Sequence, residues 1–309
     1  MPFIFFGVAA IILTLVLAVS YICYSMTFKR AKEDLTPREM VLRSKQENIK
    51  EESLRMVEAL EAIPHEELSI RSHDGYTLRA RYYKGEDDAP LDIQCHGYKS
   101  HPVRDFSGGA AESIKRGRHV LLIYQRAHGR SEGRSITFGR KESKDLLLWT
   151  DFMLKKLGSD TKIIYSGISM GAATVLIAAS MNPPKSVKAV IADCPCSSAK
   201  EIIKRVIGKM KLPASLCYPF VRLGAIIFGR FDPDKADAAR AVEKAKVPIL
   251  LIHGEDDRFV PPEMSKKIFD NIPGKKQIEL FPLARHGTSY LIDKARYMKA
   301  VDDFLKDVL

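Results

Sequence analysis

The stretch Lys162-Ile163-Ile164-Tyr165-Ser166-Gly167-Ile168-Ser169-Met170-Gly171, followed by Ala172-Ala173-Thr174-Val175-Leu176-Ile177-Ala178, decides how the chain is read. A short apolar run of strand length meets a serine with glycines two before and two after it. An apolar segment with no helix breaker follows at once. Gly167-Ile168-Ser169-Met170-Gly171 fits G-x-S-x-G, the nucleophile elbow, in which the chain turns sharply from strand into helix and presents a serine Oγ at the apex. The glycines have a physical purpose. The serine sits in a strained conformation, and Gly167 and Gly171 must pass too close for a Cβ. The helix then points its N-terminal N–H groups and positive dipole end at the place where an oxyanion develops. Glycine and serine are common turn residues, so the pattern draws its force from the strand before and the helix after. Ser169 is read as a nucleophile in need of partners.

Working outward, short apolar strands alternate with helical stretches. The expected strands are Leu91–Cys95, Val120–Tyr124, Lys162–Ser166, Val187–Ala192, Val247–Ile252 and Gln277–Phe281. The expected helices are Phe106–Arg116, Lys141–Leu157, Ala172–Met181, Pro262–Asn271 and Tyr290–Leu309. That alternation indicates a mostly parallel sheet covered on both faces. Glu66–Arg71 and Tyr76–Tyr83 alternate apolar and polar residues around His73-Asp74-Gly75, a hairpin for the edge of that sheet. Residues 194–246 are too long for a simple crossover. Leu212–Phe228 within them is nearly all apolar apart from Arg222, and is broken by Pro213 and Pro219. It reads as a small helical cap whose apolar face lines the substrate cleft, with shallow membrane contact as the other use of such helices.

Ahead of this domain, residues 2–28 carry no charged side chain, a run longer than the ~20 residues that cross a bilayer. A cleaved signal peptide, with Ala18-Val19-Ser20 as a small-residue site, is the rival reading; it wants basic residues before a shorter apolar run. Lys29, Arg30, Lys32, Arg38, Arg43 and Lys45 follow, which predicts a single-pass anchor with the catalytic domain cytoplasmic. Residues 29–64 read as a helical stalk, starting at Thr36-Pro37-Arg38-Glu39 and ended by Pro64. The domains expected are therefore an anchor over 1–28, a stalk over 29–64 and the main domain over 65–309. The net charge of +11 is spread along the 309 residues with no nucleic-acid motif, so it fits an anionic membrane surface better than nucleic acid. Five cysteines without framework spacing argue against a disulfide scaffold and for reduced thiols.

A serine hydroxyl is a weak nucleophile until a histidine takes its proton and a carboxylate holds that histidine. In a strand–elbow–helix context the chain order is serine, acid, histidine. The apolar run Ile249–Ile252 ends in His253-Gly254-Glu255-Asp256-Asp257, which makes Asp257 the first candidate acid and Asp256 the reserve. His286-Gly287 follows the last strand, so His286 is the candidate base rather than a surface-loop histidine. The oxyanion hole needs two backbone N–H donors. Met170, after the nucleophile, supplies one, and Tyr98, in the loop after Leu91–Cys95, the other. His96 is read as a structural loop residue.

His96-Gly97-Tyr98, Arg126-Ala127-His128-Gly129-Arg130-Ser131-Glu132-Gly133, Gly167–Gly171, the H-G-x-x-D-x-x-V-P pattern of His253–Pro261, and His286-Gly287 stand in one order from about Leu68 onward. On these pieces the chain resembles the α/β-hydrolase superfamily, specifically membrane-anchored bacterial members near the serine aminopeptidase (S33) and Bem46-like group. The resemblance implies an α/β-hydrolase fold: a mostly parallel central sheet, helices on both faces, a small helical cap and, here, one preceding transmembrane helix. It also favours Asp257 over Asp256. Where relatives carry Asp-x-Arg-Gly-His-Gly, this chain has Ala127 in place of the first glycine.

Cys194-Pro195-Cys196 lacks the second ligand pair of a metal site and reads as buried thiols, and Trp149 reads as core. His65, His73, His101 and His119 show no metal spacing, and there is no phosphate-binding glycine loop, so neither metal nor cofactor is expected. The residues together predict a serine hydrolase that cleaves an acyl ester of a small molecule, with lipid-like esters among the candidates. An aminopeptidase or amidase is the enzymatic alternative, and a non-catalytic binding module of the same fold the alternative from another class.

Overall fold

The structure, a computed structural model, describes residues 2–31, 35–44 and 46–309. Lys32 and Lys45, two of the basic residues expected after the apolar run, lie outside the described residues. Helix α1 (Pro2–Thr27) contains a stretch, Phe5–Thr27, with mean hydropathy 2.5, long and apolar enough to cross a membrane. Helix α2 (Pro37–Leu42) starts from a capping box in which Thr36 Oγ1 accepts from the Glu39 N–H and the Glu39 carboxylate accepts from the Thr36 N–H. Helix α3 (Glu47–Glu61) follows.

The chain then enters the sheet through the hairpin of β1 (Glu66–Arg71) and β2 (Thr77–Tyr83). Beyond it come β3 (Leu91–Cys95), α4 (Pro102–Lys115), β4 (His119–Tyr124), α5 (Glu142–Leu157), β5 (Ile163–Ile168), α6 (Met170–Ala179) and β6 (Val187–Asp193). After β6, α7 (Ala199–Lys209), α8 (Ala214–Ile227) and the short α9 (Ala238–Ala241) intervene before β7 (Ile249–Gly254). The chain closes with α10 (Pro262–Asn271), β8 (Lys276–Phe281), α11 (Ser289–Ile292) and α12 (Lys294–Lys306).

The eight strands lie in the order β1-β2-β4-β3-β5-β6-β7-β8, antiparallel through β1, β2 and β4 and parallel from there on. The chain leaves β3 toward β4 but leaves β5 toward β6. The adjacent carboxyl ends of β3 and β5, where Cys95 stands opposite Gly167, therefore form the switch point at which open α/β sheets bind ligands. Trp149 and Leu146 of α5 pack in the large core on one side of the sheet. Val301, Phe304 and Leu305 of α12 cover Ile164, Leu250 and Ile252 in a second cluster.

Three departures from the sequence expectation have physical causes. Residues 46–61 do not stand off as a stalk: Val57 and Leu60 are fully buried against Val103, Phe106, Val120 and Leu122. Helix α4 begins at Pro102, four residues before the expected Phe106, because Pro suits the first helical position and the His101 ring accepts from the Val103 N–H. The expected helix Tyr290–Leu309 is two helices, since Asp293 leaves helical geometry to cap α12 through the Arg296 N–H. The end of α1 is also anchored in the core. Phe28 is fully buried, with its ring 5.8 Å from Phe138 and 5.1 Å from Phe231, and its carbonyl accepts from the Ile136 N–H at 2.7 Å.

Candidate active site

Gly171 meets the backbone of β3 so closely that a Cβ there would lie 1.8 Å from the Cys95 carbonyl oxygen, and one on Gly167 would lie 2.4 Å from the Gly171 oxygen. With both neighbours bare, the turn closes on Ser169, which adopts φ 57° and ψ −114° just ahead of α6. That backbone is strained for a residue with a side chain, and it aims Oγ out of the elbow. Met170 is the first residue of α6, so its N–H has no carbonyl within the helix to bond.

The three side chains picked from sequence form one relay. His286 Nε2 is 2.9 Å from Ser169 Oγ, and its Nδ1 is 2.6 Å from Asp257 Oδ2. The other Asp257 oxygen accepts from the N–H groups of Phe259 (2.8 Å) and Val260 (2.9 Å). Burial by itself raises the Asp257 pKa, but hydrogen bonds from His253, His286 and Val260 outweigh it and hold the carboxyl well below its usual range. Asp256, the reserve, is exposed, and its N–H donates to the Ala284 carbonyl at 3.0 Å. Phe259 closes over His286 with ring centroids 5.1 Å apart.

The Tyr98 loop passes beside the serine: a Cβ on Gly97 would lie 3.5 Å from Ser169 Cβ. Its position is held by residues behind it. Gln125 donates to the His96 carbonyl and to His96 Nε2, and the Lys99 N–H donates to His128 Nε2 at 2.9 Å. Burial pushes His96 down to about 4 and His128 down to about 3, so both rings are neutral supports rather than bases. The Cys194 thiol lies with Asp257 and His286 in a cluster whose possible ligand atoms are within 4.8 Å of one another. Burial raises that thiol well above its usual value, and a protonated thiol is a poor metal ligand.

A cavity of about 500 Å³ opens at Ser169 and His286. Val41, Ile49 and Met56 of the α2–α3 region form one wall, and Tyr98 and Phe259 flank the serine. None of its lining residues falls between 194 and 246, so the apolar face expected to line the cleft faces elsewhere. Helix α7 reaches the rim only indirectly: Arg205 donates to the Phe259 carbonyl at 3.1 Å.

Against known proteins, the model of the alpha/beta hydrolase fold matches residues 95–216, and that of serine aminopeptidase, S33, matches residues 235–290. The chain is 25% identical over 252 residues to Bacillus subtilis YqkD, covering 81% of this chain and 82% of that one. It is 27% identical over 192 residues to Schizosaccharomyces pombe protein bem46, 61% of this chain and 58% of that one. The solved Pyrococcus furiosus esterase Pf2001 superposes with a TM-score of 0.67 at 22% identity, over 91% of this chain and 97% of that one. The chain belongs to the α/β-hydrolase superfamily.

In this α/β-hydrolase Ala127 stands at φ 60°, in the left-handed region, at the position where the family pattern carries glycine. The loop tolerates it because Arg126 is buried and bonded through its fork to Asp145 at 2.6 and 2.7 Å. The strand pattern hid a second group of polar residues. Asp92 accepts from Gln94 (2.7 Å), Ser113 (2.8 Å) and Ser166 (2.6 Å), and these side chains line the same cavity as Ser169. A lone Asp or Gln inside a five-residue apolar strand gives no signal of such a cluster, because its partners come from other elements.

Asp193 ends β6 beside them. Its carbonyl accepts from the Ser169 N–H at 2.8 Å, while its buried carboxyl has an oxygen, Oδ1, with no partner among the described residues. Burial pushes its pKa from 3.8 up to about 6. The folded hydrolase thus holds a proton that the unfolded chain releases, and stability from this group falls as pH rises between about 4 and 6. Asp193→Asn keeps the neutral form at every pH. It is expected to raise the Tm at pH 7, by up to about 3 kcal/mol of stability, and to change little at pH 4. Equal shifts at the two pH values in thermal unfolding would sink this account.

Gly171→Ala tests the close approach. The added methyl collides with backbone, which cannot swing aside, so a loss of about 3 kcal/mol or more is expected in denaturant unfolding. A variant as stable as wild type would mean that the elbow can open freely.

Proposed function

We propose that the protein is a membrane-tethered serine hydrolase that cleaves carboxylic ester-type bonds through an acyl-enzyme. In this reading Ser169 attacks the carbonyl carbon while His286 takes its proton. The N–H groups of Met170 and Tyr98 stabilise the oxyanion. His286 then returns the proton to the leaving alcohol, and water repeats the sequence to release the acid. Asp257 holds His286 in the tautomer whose Nε2 faces the serine. The observation that carries the reading is the continuous hydrogen-bonded path from Asp257 through His286 to Ser169 at the mouth of a cavity. The esterase name of the Pyrococcus furiosus structure supports the ester bond.

Cleavage of a peptide or amide bond is the second reading, supported by the serine aminopeptidase model over residues 235–290, which contain both Asp257 and His286. The partner is a small acyl substrate, and the half-apolar cavity walls fit an amphipathic one. Residues 1–28 act as the anchor, with Lys29 and Arg30 holding the domain on the cytoplasmic side, and the segment 194–246 is the insertion set on the core domain. The test is fluorophosphonate labelling of the full chain in detergent, with hydrolysis of p-nitrophenyl esters of increasing chain length set against aminoacyl p-nitroanilides. Labelling with ester turnover supports the proposal. Turnover of the anilides alone moves the function to a peptidase, and a folded protein with neither makes it a binding module.

A further inference from the structure

The apolar face of α8 does not line the cavity, yet it is not buried either. Outside α1, ten large apolar side chains are exposed among the described residues, and six of them fall between Met210 and Phe228. Leu216 is 68% and Ile227 43% exposed along one flank of α8, whose only charged residue is Arg222, and Leu212, just ahead of the helix, is 46% exposed. That arginine is turned aside and forked onto Asp232 at 3.0 and 2.8 Å. A face this apolar needs an occupant.

The other flank of α8 packs on α1 close to its Thr27 end. Gly224 sits so near α1 that a Cβ there would lie 2.2 Å from the Ser20 carbonyl oxygen. The Phe228 ring is 5.1 Å from Tyr21 and 6.0 Å from Tyr24, and Cys217 is a neighbour of Cys23. On α1 these contacts fall on Ser20, Tyr21, Cys23 and Tyr24, the last turns before Thr27. If α1 stands across a bilayer, they hold α8 about 4–10 Å inside the Thr27 end of the apolar stretch, a depth at which interfacial helices rest. Lys211 and Arg230, exposed at the two ends of α8, are placed to meet anionic headgroups.

We propose that α8 is a membrane-surface helix which, with Leu212 just ahead of it, immerses its Leu216 and Ile227 face in the lipid leaflet where α1 ends, so that the hydrolase is held on the bilayer at two elements. The inference rests on the reading of α1 as a membrane span. The test uses the full chain in phosphatidylcholine–phosphatidylglycerol vesicles, with acyl-chain-brominated lipid as quencher and single Trp substitutions as reporters. Trp149, 1% exposed in the core, is a constant background. Leu216→Trp and Ile227→Trp are expected to lose emission to brominated lipid as the span control Ile12→Trp does, while Leu283→Trp, at a site 75% exposed, keeps its emission. Quenching at 12 without quenching at 216 and 227 overturns the proposal and leaves the anchor standing. No quenching at 12 removes the anchor and the proposal with it. Blue-shifted but unquenched emission at 216 and 227 assigns the face to a second copy of the chain, which also overturns it. All four positions are exposed, so none of the substitutions disturbs the core.

Discussion

Ser169→Ala is expected to abolish fluorophosphonate labelling and to lower ester hydrolysis by about 10⁴- to 10⁶-fold, with Tm unchanged within a few degrees. The size follows from what is removed. Alanine keeps the Cβ that the elbow already accommodates at φ 57°, so the turn closes as before. The oxyanion donors and the cavity also stay. What disappears is the atom that would form the acyl-enzyme, and His286 can at best activate a water less well placed than an Oγ 2.9 Å away. A variant that still takes up the probe would place the nucleophile elsewhere and undo the proposed function.

The second large effect concerns the acid. Asp257→Asn is expected to reduce turnover by about 10⁴-fold while substrate binding changes little. The asparagine oxygen can go on accepting from Phe259 and Val260, as Asp257 Oδ1 does at 2.8 and 2.9 Å. Its amide nitrogen then faces His286 Nδ1, where a carboxylate oxygen stood at 2.6 Å. Two donors cannot share that contact, so the imidazole proton moves to Nε2 and the ring donates to Ser169 instead of accepting from it. Asp256→Asn, next door and exposed, serves as the control and should keep full turnover. Steady-state kinetics decide it: comparable losses in both variants would mean that neither carboxylate has a specific place in the relay.

Much of this architecture was legible because its signals are local. The elbow, the strand ending at Gly254 and the histidine after β8 each announce themselves within ten residues, and the fixed order of a parallel sheet brings their ends together. What escaped depends on which surface meets which. The apolar spacing of Leu54, Val57 and Leu60 in α3 says that one face will be covered, but not that α4 and β4 cover it. The apolar run of α8 carries the same signature whether it roofs a cleft or packs on α1. Asp92 and Asp193 escaped for the opposite reason: one polar residue in an apolar strand says nothing about partners that arrive from α4, β5 and α12.

The burial of Phe28 bears on whether this enzyme could ever exist apart from α1. The boundary between the two is not a seam. The aromatic ring that follows α1 fills a space between Phe138 and Phe231, and Tyr24, one turn earlier, is hydrogen-bonded to Ser135 at 2.7 Å. Emptying a pocket of that size costs about 3–5 kcal/mol and bares its apolar walls to water. A proteolytic cut just after Phe28 would therefore shed an enzyme prone to unfold and aggregate. If α1 is the anchor proposed above, cutting the domain away from it is a route to inactivation and not to a soluble enzyme.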